Sequence, residues 1–177
     1  MTEKNYYEAT ARFIYNYTRW KFDILLSYSF GRDDQQYIST LDGTNPDTYF
    51  KRYLFGKLDK NSLSTSFKVN YSFTPDLTLE CFAEPSFTDG KYLSFSELKN
   101  NSSYKMKDYG KAPGTSLSFD KDRNATITDG NESFKLDRMD FFFKSLRSNI
   151  VLRWEYKSGC VLYAVWQFAN QDYKNYW

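Results

Sequence analysis

Apolar and polar residues alternate along three separate stretches of the chain, and each stretch predicts two antiparallel strands joined by a short turn. The predicted hairpins span residues 7–30, 62–84 and 145–171. The connections between them, over about 31–61 and 85–144, are predicted as long polar loops. Successive side chains of a strand point to opposite faces, so each hairpin is expected to have one apolar face and one polar or mixed face.

The register of each hairpin is predicted by matching apolar residues across its two strands, because such pairs stabilise a one-sided sheet. The turns are expected to be short, with Pro75 in the second and Gly159 in the third. The pairs expected next to the turns are Tyr17 with Phe22, Phe73 with Leu77, and Tyr156 with Cys160.

Two kinds of fold use a one-sided sheet in different ways. A water-soluble β-domain buries the apolar face, whereas a transmembrane β-barrel turns it toward lipid. In the third hairpin, for example, Leu152 and Trp154 share the apolar side and Arg153 lies on the other. The alternation alone leaves both folds open.

The lengths of the connections favour the membrane fold. Short turns that alternate with long polar loops are typical of outer-membrane barrels, whereas long structureless loops are uncommon in compact soluble domains. Aromatic residues make up 20% of the chain, which also favours sheet. The sequence therefore predicts an all-β protein, an antiparallel meander of about six strands that forms part of a transmembrane β-barrel, as one partial barrel domain over residues 1–177.

Six strands are fewer than the eight of the smallest single-chain barrels. The start of the chain also lacks the basic and apolar regions of an export signal. We therefore expect a fragment whose partners are outer-membrane lipid and the remainder of a larger barrel chain. Its edge strands, at 7–17 and 160–171, are expected to need a partner or to aggregate.

Catalytic, metal and cofactor chemistry finds little support in the sequence. The chain has no histidine, and Glu80 and Glu84 would lie about 13 Å apart on one strand, too far for a glycosidase pair. The loop beginning at Asp120 lacks the glycine and glutamate of a calcium-binding EF-hand. A net charge of +2 gives no reason to expect a nucleic-acid partner. We predict no enzymatic activity, no cofactor and no metal.

The best candidates for functional residues are charged side chains on the polar faces of the predicted strands. In a barrel they would face the lumen, where they line an aqueous path or anchor a plug. The alternative is that they form ion pairs between strands and stiffen the lumen wall. The candidates are Arg12, Lys68, Glu80, Arg147, Arg153 and Glu155.

Two segments resemble a known family. They are YLFGKLDKNSLSTSFKVNYSFTPDLTLECFAEPSFTDGKY, at 53–92, and SLRSNIVLRWEYKSGCVLYAVWQ, at 145–167. Both are similar to the C-terminal barrel domain, of unknown function, in Gram-negative outer-membrane proteins that carry an N-terminal module like family-nine carbohydrate-binding modules. The resemblance implies the bacterial outer membrane as location. This chain lacks the sugar-binding module, so no carbohydrate-binding role is assigned to its residues.

Two functions follow as hypotheses. The first is a non-catalytic transport or scaffold role in an outer-membrane barrel, linked to carbohydrate binding or uptake through the missing module. The second is a soluble secreted β-sandwich or small β-barrel that binds a ligand such as a carbohydrate. Dependence on detergent separates the two.

Overall fold

The computed structural model describes residues 4–175, which form ten strands in two antiparallel sheets and one turn of 3-10 helix, Pro46–Thr48. No helix in this part of the chain is long and apolar enough to cross a membrane. The strands are β1 Lys4–Tyr17, β2 Trp20–Asp42, β3 Lys51–Thr74, β4 Leu77–Asn100, β5 Ser103–Asp108, β6 Thr115–Phe119, β7 Ala125–Asp129, β8 Glu132–Leu136, β9 Phe141–Lys157 and β10 Cys160–Asn175.

The large sheet has the order β1-β2-β3-β4-β9-β10, and β5 pairs with the end of β4. The all-β, antiparallel prediction is confirmed. The strand number is wrong, because ten strands are present in the described chain instead of about six. Within residues 4–175 the sheet is also not a closed barrel, since β1 and β10 lie at opposite edges and do not pair.

The predicted registers hold in two of the three hairpins. In the second, Tyr71 pairs with Leu79 as expected, and the third has the predicted pairs beyond its turn, with Cys160 opposite Lys157 instead of Tyr156. In the first, Tyr17 pairs with Trp20 instead of Phe22, because Thr18 adopts a φ of 39° and allows a two-residue turn. The shift is two residues, so every side chain keeps its predicted face.

The predicted long loops are largely strand, which corrects the sequence interpretation. Strands β2, β3 and β4 run for 23, 24 and 24 residues. They continue well past Asp33 and Gly90, which pair with the first residues of β1 and β9. Extra residues interrupt the alternation here, two in β2 between Asp33 and Ser39 and one in β4 opposite Lys57 and Leu58. Because these bulges interrupt the alternation of apolar and polar residues, the sequence does not show the period of two that indicates a strand.

Residues 34–42, 51–57 and 91–100 of the three long strands form an extension that we call the arm. The small sheet, with order β6-β7-β8, packs against the arm, and we call residues 115–136 the module. The buried hydrophobic residues of the described chain all lie where arm and module meet: Leu54, Phe95, Tyr109, Ala125, Ile127 and Leu136. The rest of the large sheet, which we call the six-stranded band, lacks such a core.

Two glycines of the band lie in one row of the sheet, where Gly31 and Gly90 both pair with Lys60. A methyl group on Gly90 would overlap the ring of Phe141, which lies across it, whereas on Gly31 the nearest atom is Cδ2 of Tyr6 at 3.6 Å. The Phe141 ring therefore occupies the space that a side chain at Gly90 would fill, whereas at Gly31 a methyl group would fit.

We expect Gly90→Ala to destabilise the protein by about 1–3 kcal/mol, the range for an overpacked site, because the Phe141 ring must move. Gly31→Ala is the matched control. It is expected to be neutral or to stabilise by up to about 1 kcal/mol, since alanine is favoured over glycine in a strand. Urea unfolding followed by tyrosine and tryptophan fluorescence measures both, and equal effects would contradict this account of Gly90.

Candidate functional site

In the six strands of the band most of the large apolar residues fall on one side, which we call the apolar face, although the other side also carries some, such as Leu25, Phe82 and Val165. The registers join them into continuous rows across the sheet. One row is Tyr15, Phe22, Val69, Cys81, Ile150 and Trp166. The next is Phe13, Ile24, Phe67, Ala83, Ser148 and Phe168. The three predicted hairpins thus combine into a single one-sided surface.

No described residue covers this surface. Phe13 is 59% exposed, Leu162 50% and Trp166 54%, values far above those of core side chains. Along β3 the face runs from Leu63 to Phe73. That stretch is about 33 Å long at 3.3 Å per residue. An uncovered apolar surface of this extent is typical of contact with lipid or with another protein.

Aromatic rings and polar groups mark the two ends of the apolar face. Next to the short turns, the rings of Trp20 and Tyr71 lie 4.2 Å apart. At the other end the face finishes in a charged row, where Arg32 contacts Asp59 at 2.6 Å. The apolar stretch is shorter at the β10 edge, because an ion pair between Lys144 and Asp172, at 3.1 Å, lies on the same side.

The six candidate residues predicted from sequence all lie on the opposite side of the band, which we call the polar face. Alternation and register place them there together with short polar side chains and some apolar ones, such as Phe82 and Val165. The candidates are Arg12, Lys68, Glu80, Arg147, Arg153 and Glu155. They are spread over four strands, so they line a surface and do not converge on one point.

Ion pairs engage four of the candidates. Arg12 contacts Asp23 on the neighbouring strand at 2.6 Å, and Arg147 lies 3.3 Å from Glu84 across the β4–β9 pair. Arg153 and Glu155 pair along one strand at 3.0 Å. Two of the three pairs join neighbouring strands, as expected if these charges form ion pairs between strands.

A row of small hydroxyl side chains crosses the polar face, and sequence reasoning did not identify it as a unit. Its five members become neighbours only through the registers of four separate strand pairs. The row is Thr10, Ser27, Ser64, Ser86 and Ser145, and it is continued on β10 by Gln171. Short side chains keep this level of the face open, and their hydroxyl groups make it compatible with water.

A charged cluster at the junction of arm and module was also missed, because its residues lie in segments predicted as loops. Arg52, which is 9% exposed, has Asp129 at 3.3 Å and Glu97 at 3.7 Å, and its second terminal nitrogen donates to Glu132. Lys107 contacts Asp129 at 2.7 Å and Glu97 at 3.3 Å. Two cations thus share three carboxylates and connect the arm to the module.

The cluster also affects proton affinities. Burial raises the pKa of the Tyr109 phenol, a hydrogen bond with Glu97 acts in the same direction, and nearby Arg52 opposes both. Burial alone would lower the pKa of Lys107, but its contacts with Asp129 and Glu97 outweigh that effect and raise it. Tyr109 therefore stays neutral and Lys107 charged well above neutral pH.

A polar pocket of about 580 Å³ opens beside this cluster. Its wall includes Thr44 and Asn45 from the connection between β2 and β3, Lys51 from the arm and Asn131 from the module. The carboxylates that line it, Glu97, Asp129 and Glu132, form ion pairs with Arg52 and Lys107. The pocket has the size of a small-molecule site but no acid–base pair or nucleophile poised for catalysis.

A second contact joins the module to the arm. The carboxylate of Asp140, 7% exposed, accepts from the backbone N–H of Tyr92 at 2.9 Å and from Arg123 at 3.1 Å. Arg123 also donates to the Tyr92 carbonyl at 2.7 Å. Asp140 thereby satisfies a backbone group next to the bulge in β4, where the regular ladder is interrupted.

The loop that begins at Asp120 forms a turn stabilised by its own hydrogen bonds. One Asp120 oxygen accepts the backbone N–H groups of Asp122 and Asn124, each at 2.9 Å, and the other accepts the Asn124 amide at 2.8 Å. Among residues 4–175 there is no group of three or more potential ligands that could hold a metal ion.

Comparison with models of protein families, with curated proteins and with solved structures finds no match to this chain.

We expect Arg52→Ala to lower the free energy of unfolding by about 3 kcal/mol, because it leaves Glu97 and Asp129 with too little positive charge in a poorly solvated site. Arg12→Ala is the matched control, since Arg12 is 56% exposed and its ion pair is worth at most about 1 kcal/mol. Urea titration in detergent micelles gives both values. Similar losses for the two variants would show that the cluster is no more stabilising than a surface pair.

Tyr109 is expected to make the protein sensitive to alkali. Its pKa is raised in the folded state. Its contribution to stability is therefore complete below the unfolded pKa of about 10, and it is lost as the pH rises above that value.

Above pH 10, the free energy of unfolding of the wild type should fall by up to about 1.4 kcal/mol per pH unit more than that of Tyr109→Phe, which has no phenol to ionise. Unfolding curves of the two proteins from pH 8 upward measure the difference. Parallel pH profiles would show that the Tyr109 phenol is not held neutral by its surroundings.

Proposed function

We propose that the six-stranded band is part of the wall of a β-barrel in the outer membrane of a Gram-negative bacterium, with a non-catalytic transport or scaffold role. The observation that carries the proposal is the apolar face, which is exposed and continuous over six strands. Exposing such a face to water opposes the hydrophobic effect, so a lipid environment accounts for it.

The dimensions of the apolar face support this assignment. The stretches Leu63–Phe73 in β3 and Leu146–Tyr156 in β9 each span about 11 residues, the length that a tilted strand needs to cross a bilayer. Trp20, Tyr71 and Trp154 lie at one end of the face, as in the aromatic girdles of membrane barrels. The arm and the module extend beyond the charged row at the other end, where they would lie in water.

The polar face would form part of the lumen wall. Arg12, Lys68, Glu80, Arg147, Arg153 and Glu155 would then face the lumen together with the hydroxyl row. The ion pairs Arg12–Asp23 and Arg147–Glu84 favour a wall-stiffening role for these charges over direct contact with a solute.

The partners of this wall would be membrane lipid and further barrel strands. Among residues 4–175, strands β1 and β10 each present an unpaired edge, and backbone groups in a bilayer must be hydrogen-bonded within protein. Strands from the remainder of a larger barrel chain would satisfy them. The resemblance at 53–92 and 145–167 supports the same location, and a link to carbohydrate uptake through a separate sugar-binding module stays a prediction.

The polar pocket favours a second candidate function, binding of a small polar ligand by a soluble secreted β-domain. This candidate requires that the apolar face be covered by protein. It predicts a protein that stays folded and soluble without detergent.

A charge in the middle of the apolar face tests the proposal. Val69→Arg is expected to reduce the stability of the protein folded into phosphatidylcholine vesicles by about 2–4 kcal/mol, the cost of arginine near the bilayer midplane. Asn70→Arg, on the polar face of the same strand, is the control and should change stability by less than about 1 kcal/mol. Urea titration of the vesicle-bound protein measures both.

Two results would overturn the membrane assignment. One is a wild-type chain that purifies as a stable monomer without detergent and does not associate with vesicles. The other is an equal response to Val69→Arg and Asn70→Arg, since lipid contact on one face must distinguish adjacent residues.

A further inference from the structure

The side of the sheet on which the module lies follows from β3. From Leu54 to Ser72 this strand has no extra residue, because the bulges of this region lie in β2 and β4. Even-numbered side chains therefore stay on one face, so Leu54 shares the polar face with Ser62 and Ser64. Leu54 is fully buried in the core that includes Ile127 of the module. The module thus lies on the polar-face side.

The module is held at two separated points with an apolar core between them. At one end Asp140 and Arg123 attach it to Tyr92 of β4. At the other end Arg52 contacts Glu132 and Asp129. A surface loop attached at one point could swing away, whereas this arrangement holds a packed sheet in one place.

The module is large compared with the inside of a small barrel. Its three strands have five residues each, which gives a sheet of roughly 17 by 14 Å from the rise per residue and the strand spacing. The interior of an eight-stranded barrel is only wide enough for side chains to fill. A sheet of this size on the lumen side obstructs such an opening completely and a wider one in part.

We propose that the module is a fixed cap over the mouth of the lumen, at the end of the barrel away from the short turns. It would restrict the passage of solutes along the polar face without any movement of the wall. The proposal rests on the proposed membrane function, because only a barrel has a lumen to cover. It assigns a role to the junction of arm and module that the wall itself does not require.

Conductance across a planar bilayer tests the cap on the full chain, independently of the orientation of insertion. One variant replaces residues 111–137 with a short Gly-Ser linker. A second, Ile127→Asp, places a charge in the core between module and arm while keeping all strands. Ser116→Asp adds the same charge on the exposed side of the module and is the control.

Both cap variants are expected to conduct at least threefold more than the wild type, and Ser116→Asp should match the wild type. The route of the current is checked in the linker variant with the native thiols replaced, by Cys81→Ala and Cys160→Ser. A small charged thiosulfonate should block conductance through Ser64→Cys on the polar face and leave Thr65→Cys on the apolar face unaffected.

The outcomes separate the two proposals. If the wild type and both cap variants conduct equally, the cap is overturned, because the module then does not limit passage. This holds whether all three proteins conduct or none does. Block through Thr65→Cys as strong as through Ser64→Cys would also overturn it, because the current would not follow the polar face. A wild-type chain that never associates with vesicles or bilayers would instead overturn the membrane function.

Discussion

The two-residue alternation of β-strands, kept in register across six strands, is the constraint on which the rest of this structure depends. Backbone hydrogen bonds align each strand with its neighbours, so one side of the sheet collects most of the large apolar side chains. A single sheet cannot bury that side by itself. The apolar face must therefore meet lipid or another protein, and the polar face must meet water.

In the arm, bulges interrupt this alternation. Bulges in β2 and β4 re-aim side chains, so that Phe95 points to the side that carries serines lower in the sheet. An apolar core then becomes possible on that side, and the module provides its other half. The same three strands thus have an uncovered apolar surface at one end and a buried core on the opposite side at the other.

Charge is distributed differently in the two regions. In the band, pairs such as Arg12–Asp23 are exposed and local, so they contribute little to stability. At the junction, Arg52 and Lys107 share carboxylates with low exposure, and removing any one of them leaves its partners poorly compensated. This cluster and Asp140 hold two sheets together that share no backbone hydrogen-bond ladder.

Much of the band follows from the sequence alone. The alternation in residues 62–84 predicts both strands, their faces and nearly all of their pairs, because side-chain period and register are local properties of two neighbouring segments. The first hairpin has a different turn, yet its faces are as predicted, since the shift is even. The six candidate charges consequently lie on one face, although their environment in a lumen stays a prediction.

The tertiary structure alone decided which hairpins are neighbours, where the strands continue, and what the long connections form. Pairing of β4 with β9 joins residues that are far apart in sequence, so no local pattern indicates it. The cluster around Arg52 depends on three bulges and on a sheet that folds back onto the arm. Alternation determines which way a side chain points, but only packing between distant segments determines what it meets there.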